Sequence, residues 1–454
     1  MPPPGAAVTV TLVCAAAVGV SYADRSVAAV ASPALARELG LGYEATGEVL
    51  GSFFLGYGLT QLAAGSLADR SGGRAVLVAG VLSWALATLA TPGAARLGVA
   101  PLLAARVALG LAEGLCFPAC HSLIAAHVPA GSQSLAVGVA TAASYLGVAA
   151  AFKVVPLVVA SDDLGWPYAF YLFGSLALAW VPLAALLPEG NGASGASGAS
   201  GASGAASATP RLLKAPDDRA SRRAGKHGGF AMGDAASVLR GVNWRLLRTP
   251  EALAIMFAQY CNSYGLYGLV TWLPTWLAEQ GGKQTADALG SAAAAPYFLQ
   301  AAVGVAAGYA ADAAIRSGSG RRAVRVAAQT AGMLAPAACL LLAVRADEPD
   351  TAVMLVTLGS AANALTLAGV SANALDIAPA AAGQLFGAGN TAATLAGLVS
   401  VPLTGAVLGA ADGSAEGWAR AFGLCALHYC AGAAAFAAYA GGTRLEEDVD
   451  FAAG

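Results

Sequence analysis

Residues 65–74 read Gly-Ser-Leu-Ala-Asp-Arg-Ser-Gly-Gly-Arg and come at the end of a long apolar stretch. The first glycine lets a neighbouring helix approach closely, and the aspartate can contact the end of such a helix. The two arginines stand where basic side chains anchor at a membrane surface. The segment therefore predicts a tight, charged connection between two membrane helices. Its candidate functional residues are Gly65, Asp69, Arg70, Gly73 and Arg74.

A weaker copy of this connection occurs in the second half of the chain. It reads Gly-Tyr-Ala-Ala-Asp over residues 308–312 and ends in Arg316. Two copies at corresponding positions indicate an internal repeat, which is typical of transporters built from two related halves. We therefore expect Asp312 and the first connection to act in gating. A purely interfacial anchoring role is the alternative, and it is compatible with gating.

The composition excludes several classes of protein. Of the 454 residues, 57% are hydrophobic and only 11% are charged, and the mean hydropathy is +0.65. A soluble domain carries about 25% charged residues, so this chain cannot cover a globular surface with polar groups. A soluble enzyme, a nucleic-acid-binding protein and a disordered scaffold are all poor interpretations. The net charge of −2 adds nothing about partners. The chain is predicted to be a polytopic membrane protein that contacts the lipid bilayer.

Twelve apolar stretches are long enough to span a bilayer, which takes about 20 residues each. Six come before a central linker, at residues 7–33, 45–67, 75–95, 99–127, 134–160 and 167–187. Six follow it, at residues 250–278, 286–314, 323–344, 351–375, 382–410 and 418–441. This symmetry predicts an all-α membrane protein of two six-helix bundles with a site between them.

The linker divides the chain into residues 1–190, 191–249 and 250–454. Residues 192–205 read GASGASGASGASGA, a flexible repeat with nothing to bury. A basic stretch follows it. The positive-inside rule explains those charges more simply than nucleic-acid binding, so no nucleic-acid partner is expected.

Charge asymmetry orients the chain. The loops on one side of the membrane hold fifteen Lys or Arg residues, nine of them between 211 and 248. The opposite loops hold at most five, which are Arg37, Arg96, Lys283, Arg345 and Arg420. Both termini and the linker are therefore expected to face the cytoplasm or its topological equivalent. The opening MPPPGAAV predicts either insertion without a cleaved presequence or an incomplete start.

Ionisable residues inside membrane segments are costly and usually face a cavity. Asp24 and Arg25 lie in the first segment, and Arg106 and Glu113 lie in the fourth. The spacing of seven puts the latter two side chains on one helix face, about 10 Å apart. Arginine holds oxyanions in a bidentate fork, and a carboxylate in a partly dry cavity can exchange a proton. The set predicts an anion site with cation coupling. Two structural ion pairs are the alternative.

Other polar and aromatic residues in the segments are less decisive. Lys153 in the fifth segment is expected to have a structural or peripheral role, although a third positive charge at the site is the alternative. Tyr260, Tyr264 and Tyr267 recur at helical spacing in the seventh segment, where they either line a path or pack. We include Tyr264 among the candidate substrate contacts. The cysteines lie in apolar stretches and lack further ligands at metal-binding spacing, so we expect them to pack and no metal to bind.

Several stretches resemble one family. The second segment, reading GSFFLGYGLTQ over residues 51–61, is similar to that of the anion:cation symporter family of the major facilitator superfamily. Further similarity lies at Glu113 to Leu123 (EGLCFPACHSL), 165–175, 271–275, 373–379 and 385–391. The family includes plant plastid phosphate transporters, sialic-acid carriers, vesicular glutamate transporters and bacterial sugar-acid symporters.

The resemblance implies roles for the matching residues. Arg25 and Arg106 would contact the substrate anion, and Asp24 and Glu113 would take part in cation or proton coupling. Asn390 would border the cavity. Leu50 and Asn262 stand where the vesicular glutamate branch has a histidine and an arginine, which speaks against glutamate. The matches are closest to the plant-type phosphate transporters, which makes a plastid membrane an expectation by resemblance.

The sequence therefore predicts a monomeric secondary transporter with no cofactor, which carries inorganic phosphate by alternating access with sodium or protons. An organic anion such as a sugar acid or dicarboxylate is the first alternative, because arginines grip carboxylates equally well. A non-transporting nutrient sensor on the same fold is the second. An enzyme is not expected, because no nucleophile–base pair, metal triad or phosphate-binding glycine loop is found.

Overall fold

The computed structural model describes residues 4–188, 243–280, 286–378 and 381–445, and within these ranges the protein is helical without strands. The first half holds α1 (Pro4–Leu39), α2 (Tyr43–Ser71), α3 (Gly73–Leu97), α4a (Val99–Glu113), α4b (Cys116–His127), α5 (Ala130–Val159) and α6 (Trp166–Trp180). The second half holds α7 (Pro250–Gln280), α8 (Ala286–Arg316), α9 (Arg321–Ala343), α10a (Pro349–Asn363), α10b (Val370–Ile377), α11 (Ala382–Ala410) and α12 (Ala415–Tyr439).

Counting the two-piece helices once each, the described ranges contain twelve long helical segments, six in each half. Ten of them are long and apolar enough to cross a membrane, and α2 and α7 complete the two sets. The expected all-α fold of twelve membrane helices in two bundles is confirmed. The sequence repeat of residues 192–205 and most of the predicted linker lie outside the described residues.

The fourth and tenth segments each consist of two pieces, whereas the sequence predicted one unbroken segment in both places. In the fourth, a tight turn at Gly114 and Leu115 follows Glu113 directly, and the Leu115 N–H bonds to the Ala112 carbonyl at 3.3 Å. In the tenth, the break before Val370 is stabilised from α9, because Gln329 Oε1 accepts from the Val370 N–H at 2.9 Å. A side chain that takes the place of a backbone hydrogen-bond partner is a common cause of such breaks.

Close packing of α2 on α4a positions the centre of the first bundle. A Cβ at Gly110 of α4a would overlap the Phe53 carbonyl oxygen of α2, and a Cβ at Gly56 of α2 would overlap the Val107 carbonyl oxygen of α4a. The two glycines therefore let the backbones meet directly, as small residues do in membrane bundles. This close packing of α2 on α4a brings Phe53 and Arg106 near each other.

The halves contact each other mainly through α2 with α11, α5 with α8, and α1 with α7. We call the membrane face flanking residues 189–242 the linker end, and the face where α1 turns into α2 the far end. At the far end Lys153 Nζ lies 2.6 Å from both Asp287 Oδ1 and Ser291 Oγ of the second half. The Tyr43 hydroxyl donates to Glu279 Oε1 at 2.7 Å. These contacts join the two halves at the far end.

Candidate functional site

A cavity of about 70 Å³ lies between the two halves. Its walls come from α1, α2, α4a and α5 on one side and from α7 and α8 on the other. Aliphatic and aromatic side chains make up most of the lining. The charged and hydrogen-bonding groups include Arg25, Arg106, Tyr145, Tyr267, Thr271 and Gln300.

Arg25 is held in the cavity wall by aromatic rings and one carboxylate. Its Cζ atom lies 4.5 Å from the ring centroid of Tyr22 and 4.6 Å from those of Phe53 and Tyr57. Its Nε donates to Glu113 Oε2 at 3.1 Å. Three π faces attract a guanidinium electrostatically and restrict its orientation. Arg25 Nη1 is buried and has no hydrogen-bond partner among the described residues.

Arg106 is the second cation of the cavity, and it is even less paired. Its side chain is 3% exposed, and its Cζ lies 5.5 Å from the Phe53 ring that Arg25 also contacts. Neither Nε nor Nη1 has a hydrogen-bond partner in the described part of the chain. A guanidinium only donates hydrogen bonds, so these buried N–H groups call for an acceptor, preferably an anionic one.

The two carboxylates lie in different surroundings. Glu113 pairs with Arg25, and its Oε2 also accepts from the Ser21 hydroxyl at 3.2 Å. Asp24 Oδ2 accepts from the Thr88 hydroxyl of α3 at 2.7 Å. Both side chains are 1% exposed, and the second oxygen of each has no hydrogen-bond partner among the described residues. A buried, partly satisfied carboxylate of this kind is suited to binding a proton or a cation.

The remaining predicted contacts lie outside this cavity lining. Asn390 Nδ2 of α11 donates to Gln61 Oε1 of α2 at 2.7 Å, so it joins the halves. The Tyr264 ring stacks on His428 at 3.6 Å between centroids, while its neighbour Tyr267 lines the cavity instead. Lys153 forms the far-end ion pair, in agreement with a structural position.

The gating residues are only partly described. The side chains of Gly65, Asp69 and Arg70 lie outside the described part of the structure. Gly73 packs against the Ala119 carbonyl of α4b, and Arg74 donates to the Leu187 carbonyl at 3.1 Å. Asp312 is exposed on α8. Their role in gating stays a prediction.

The aromatic cage around Arg25 and the hydroxyls that contact the carboxylates were not predicted from the sequence. Phe53 and Tyr57 are four residues apart on α2, and Tyr22 precedes Arg25 by three residues. These spacings are a visible signal, but an aromatic stripe at helical spacing is also what ordinary packing produces. Thr88 gave no signal, because only the packing of α3 on the bundle brings it to Asp24.

Comparison with known proteins agrees with this architecture. The family model of the Major Facilitator Superfamily matches residues 14–401. The sodium-dependent phosphate transport protein 1, chloroplastic, of Arabidopsis thaliana is 30% identical over 88% of this chain and 73% of its own length. The ascorbate transporter, chloroplastic, of the same plant is 28% identical over 88% of this chain and 69% of its own length.

Solved structures share the fold. A bacterial homologue of the human lysosomal transporter Spinster, inward-facing and occupied, superposes with a TM-score of 0.74 at 14% identity, covering 97% of this chain and 98% of that one. The inward-open xylose transporter XylE from E. coli gives 0.70 at 15% identity, covering 97% and 98%. The chain is therefore a membrane transporter rather than an enzyme, and it belongs to the major facilitator superfamily, where its curated relatives include chloroplastic anion transporters of plants.

Proposed function

We propose that the protein is a symporter of inorganic phosphate that works by alternating access and uses sodium or protons as the coupling ion. The observation that carries the proposal is the pair of buried arginines at one cavity, with three guanidinium nitrogens unpaired among the described residues. Buried cations without acceptors are costly, and an oxyanion would satisfy them with charge-assisted hydrogen bonds. The Arabidopsis phosphate transporter that is 30% identical to this chain supports phosphate as the anion.

Coupling follows from the contact between Glu113 and Arg25. The ionised carboxylate neutralises Arg25 and holds its Nε. Once Glu113 binds a proton or a sodium ion, its attraction for the guanidinium falls, and Arg25 is freed to hold the anion. Anion and cation then favour each other's binding, which is the thermodynamic requirement for symport. Asp24, held by Thr88, is the second proposed coupling carboxylate.

Alternating access requires that the far end opens and closes. In this structure the pairing of Lys153 with Asp287 and of Tyr43 with Glu279 joins the halves there. Rocking of the bundles must break these contacts. The exposed ion pair is weak, on the order of 0–1 kcal/mol, so it is suited to repeated breaking. The basic linker supports termini on the cytoplasmic side or its equivalent, and the chloroplastic relatives support a plastid membrane.

An organic anion is the second candidate, and a specific observation favours it. Apolar side chains such as Leu50, Phe54, Val148 and Val270 line the cavity beside the arginines. Such walls can pack against a carbon skeleton whose carboxylate contacts the guanidinium groups. The relative described as an ascorbate transporter supports this candidate.

Competition distinguishes the two candidates. Uptake of labelled phosphate into proteoliposomes should be saturable and should be reduced by unlabelled phosphate, while a tenfold excess of gluconate or tartrate should leave it largely unchanged. Stronger inhibition by an organic acid than by phosphate, together with uptake of that labelled acid, would replace phosphate by the second candidate.

A further inference from the structure

Gln300 is a buried residue of the cavity to which the mechanism above gives no role. It lies on α8, so it belongs to the wall that faces the arginines from the second half. Its side chain is 2% exposed. A long polar side chain this deeply buried in a membrane protein needs partners for both ends of its amide.

The orientation of the Gln300 amide follows from a hydrogen bond to the main chain. Its Nε2 donates to the carbonyl oxygen of Ser360 on α10a at 2.8 Å. A backbone carbonyl can only accept, so the amide nitrogen must face Ser360 and the amide oxygen must point away from it. Oε1 is buried and has no hydrogen-bond partner among the described residues.

The cavity therefore offers two opposite kinds of hydrogen-bonding group. The guanidinium groups of Arg25 and Arg106 only donate, whereas Gln300 Oε1 only accepts. A ligand that satisfies both must carry an anionic oxygen and also an O–H or N–H donor. Hydrogenphosphate and hydroxylated organic acids meet this requirement. Sulfate has the same tetrahedral shape as phosphate, but it carries no proton near neutral pH.

We propose that Gln300 is a specificity-determining residue that accepts a hydrogen bond from an O–H group of the bound anion. The site then selects anions that carry a hydroxyl, inorganic phosphate among them, over fully deprotonated anions of the same shape and charge. This inference rests on the proposed anion site at Arg25 and Arg106, but not on which hydroxylated anion is the substrate.

The test pairs a change in the protein with a change in the ligand. At pH 8, where phosphate is mainly a dianion, labelled phosphate uptake is inhibited with unlabelled phosphate, fluorophosphate or sulfate. Fluorophosphate keeps the tetrahedral shape and the double charge but has fluorine in place of the hydroxyl. The wild type should require roughly tenfold or more of either competitor compared with phosphate, since the amide oxygen stays unpaired with them.

The variant Gln300→Met keeps the side-chain volume and removes the acceptor. For this variant, the ratio of the fluorophosphate concentration to the phosphate concentration that gives the same inhibition should fall to near one. Gln133→Met, the same change at the linker end, should keep the wild-type ratio. If Gln300→Met does not transport, the same ratio is measured by ligand-induced thermal stabilisation of the purified protein. The inference is overturned if fluorophosphate inhibits the wild type as strongly as phosphate does, or if Gln300→Met keeps the wild-type ratio.

Failure of the phosphate proposal can be distinguished from failure of the role of Gln300. If the wild type neither binds nor carries phosphate, tartrate is compared with succinate, which has the same skeleton without hydroxyls. A preference for tartrate that disappears in Gln300→Met supports the role of Gln300 while phosphate is discarded. If the wild type binds tartrate and succinate with the same affinity, the role of Gln300 is overturned together with the phosphate proposal.

Discussion

At the scale of single residues, Phe53 is the centre of the site. Its ring lies 4.6 Å from the Arg25 guanidinium carbon and 5.5 Å from that of Arg106. Two like charges near one buried ring repel each other, and the π face and Glu113 offset part of that cost. The ring therefore fixes where both cations lie, which would reduce the ordering that the proposed anion binding requires.

Replacing Phe53 tests this role. Phe53→Leu keeps an apolar side chain on α2 but removes the π face from both guanidinium groups. Each cation–π contact contributes about 0.5–2 kcal/mol, so the KM for the anion should rise roughly 3- to 30-fold. Concentration-dependent uptake in proteoliposomes measures it. Phe298→Leu, at an exposed phenylalanine of α8, is the control and should keep the wild-type KM.

In the proposed mechanism, Glu113 governs coupling rather than binding. Glu113→Gln keeps an acceptor for the Ser21 hydroxyl but cannot gain or lose a charge. A coupling ion must bind two states with different affinity to shift their balance, and the neutral amide removes that difference. Exchange of labelled for unlabelled anion should continue, whereas gradient-driven accumulation should disappear. Glu48→Gln, at an exposed glutamate of α2, should behave as the wild type. Accumulation at the wild-type level in Glu113→Gln would end the proposed role.

The charged residues of the site could be found from sequence, whereas their partners could not. Arginine and glutamate inside apolar segments stand out because the bilayer makes them costly. The ion pair was harder to predict. The spacing within α4a suggested that Glu113 acts beside Arg106, whereas the structure pairs it with Arg25. Which residues meet across helices depends on how α1, α2 and α4a pack, and no local pattern encodes that.

At the scale of elements, the direct contact of α2 with α4a holds Arg106 in place. Gly110 lies one turn beyond Arg106 and faces the Phe53 carbonyl. Gly56 makes the reciprocal contact, so both backbones rely on a missing side chain. A methyl group at either position would push the helices apart.

Gly110→Ala should therefore lower both stability and activity. Overpacking of this kind costs about 1–3 kcal/mol, which corresponds to a fall of roughly 2–10 °C in Tm. Thermal unfolding of the purified protein in detergent measures the change. Gly93→Ala on α3 is a matched control, because no atom of the described residues lies within 4 Å of its added Cβ. An unchanged Tm in Gly110→Ala would show that the helices are not packed this closely.

The breaks in the fourth and tenth segments also belong to this scale. Hydropathy predicted both as continuous, since the residues on each side of a break are equally apolar. The α10 break depends on Gln329 from another helix, which satisfies the Val370 N–H. A partner contributed by tertiary packing leaves no trace in the sequence of the broken segment itself.

At the scale of the whole molecule, hydropathy was sufficient for the architecture. Twelve apolar stretches in two sets of six follow from the cost of unsatisfied backbone in a bilayer, so the number and order of helices were predictable. The contacts that join the halves at the far end were not. Lys153 was predicted to be structural or peripheral, but its partner Asp287 lies 134 positions away on the other half. Such a contact depends on the conformational state as well as on the fold.

We propose that Arg25 and Arg106 bind an anion whose transport is coupled to a cation. Uptake of labelled phosphate into proteoliposomes, with a sodium gradient and a pH gradient imposed separately, tests both parts of this proposal. The wild type should accumulate phosphate under one of the two gradients, which identifies the coupling ion.

In the same assay Arg106→Ala should abolish accumulation, because it removes the cation whose buried Nε and Nη1 have no hydrogen-bond partner among the residues that the structure describes. Arg96→Ala, at an exposed arginine of α3, should accumulate phosphate as the wild type does. Accumulation of phosphate or of any other anion at the wild-type level in Arg106→Ala would contradict an anion site at these arginines.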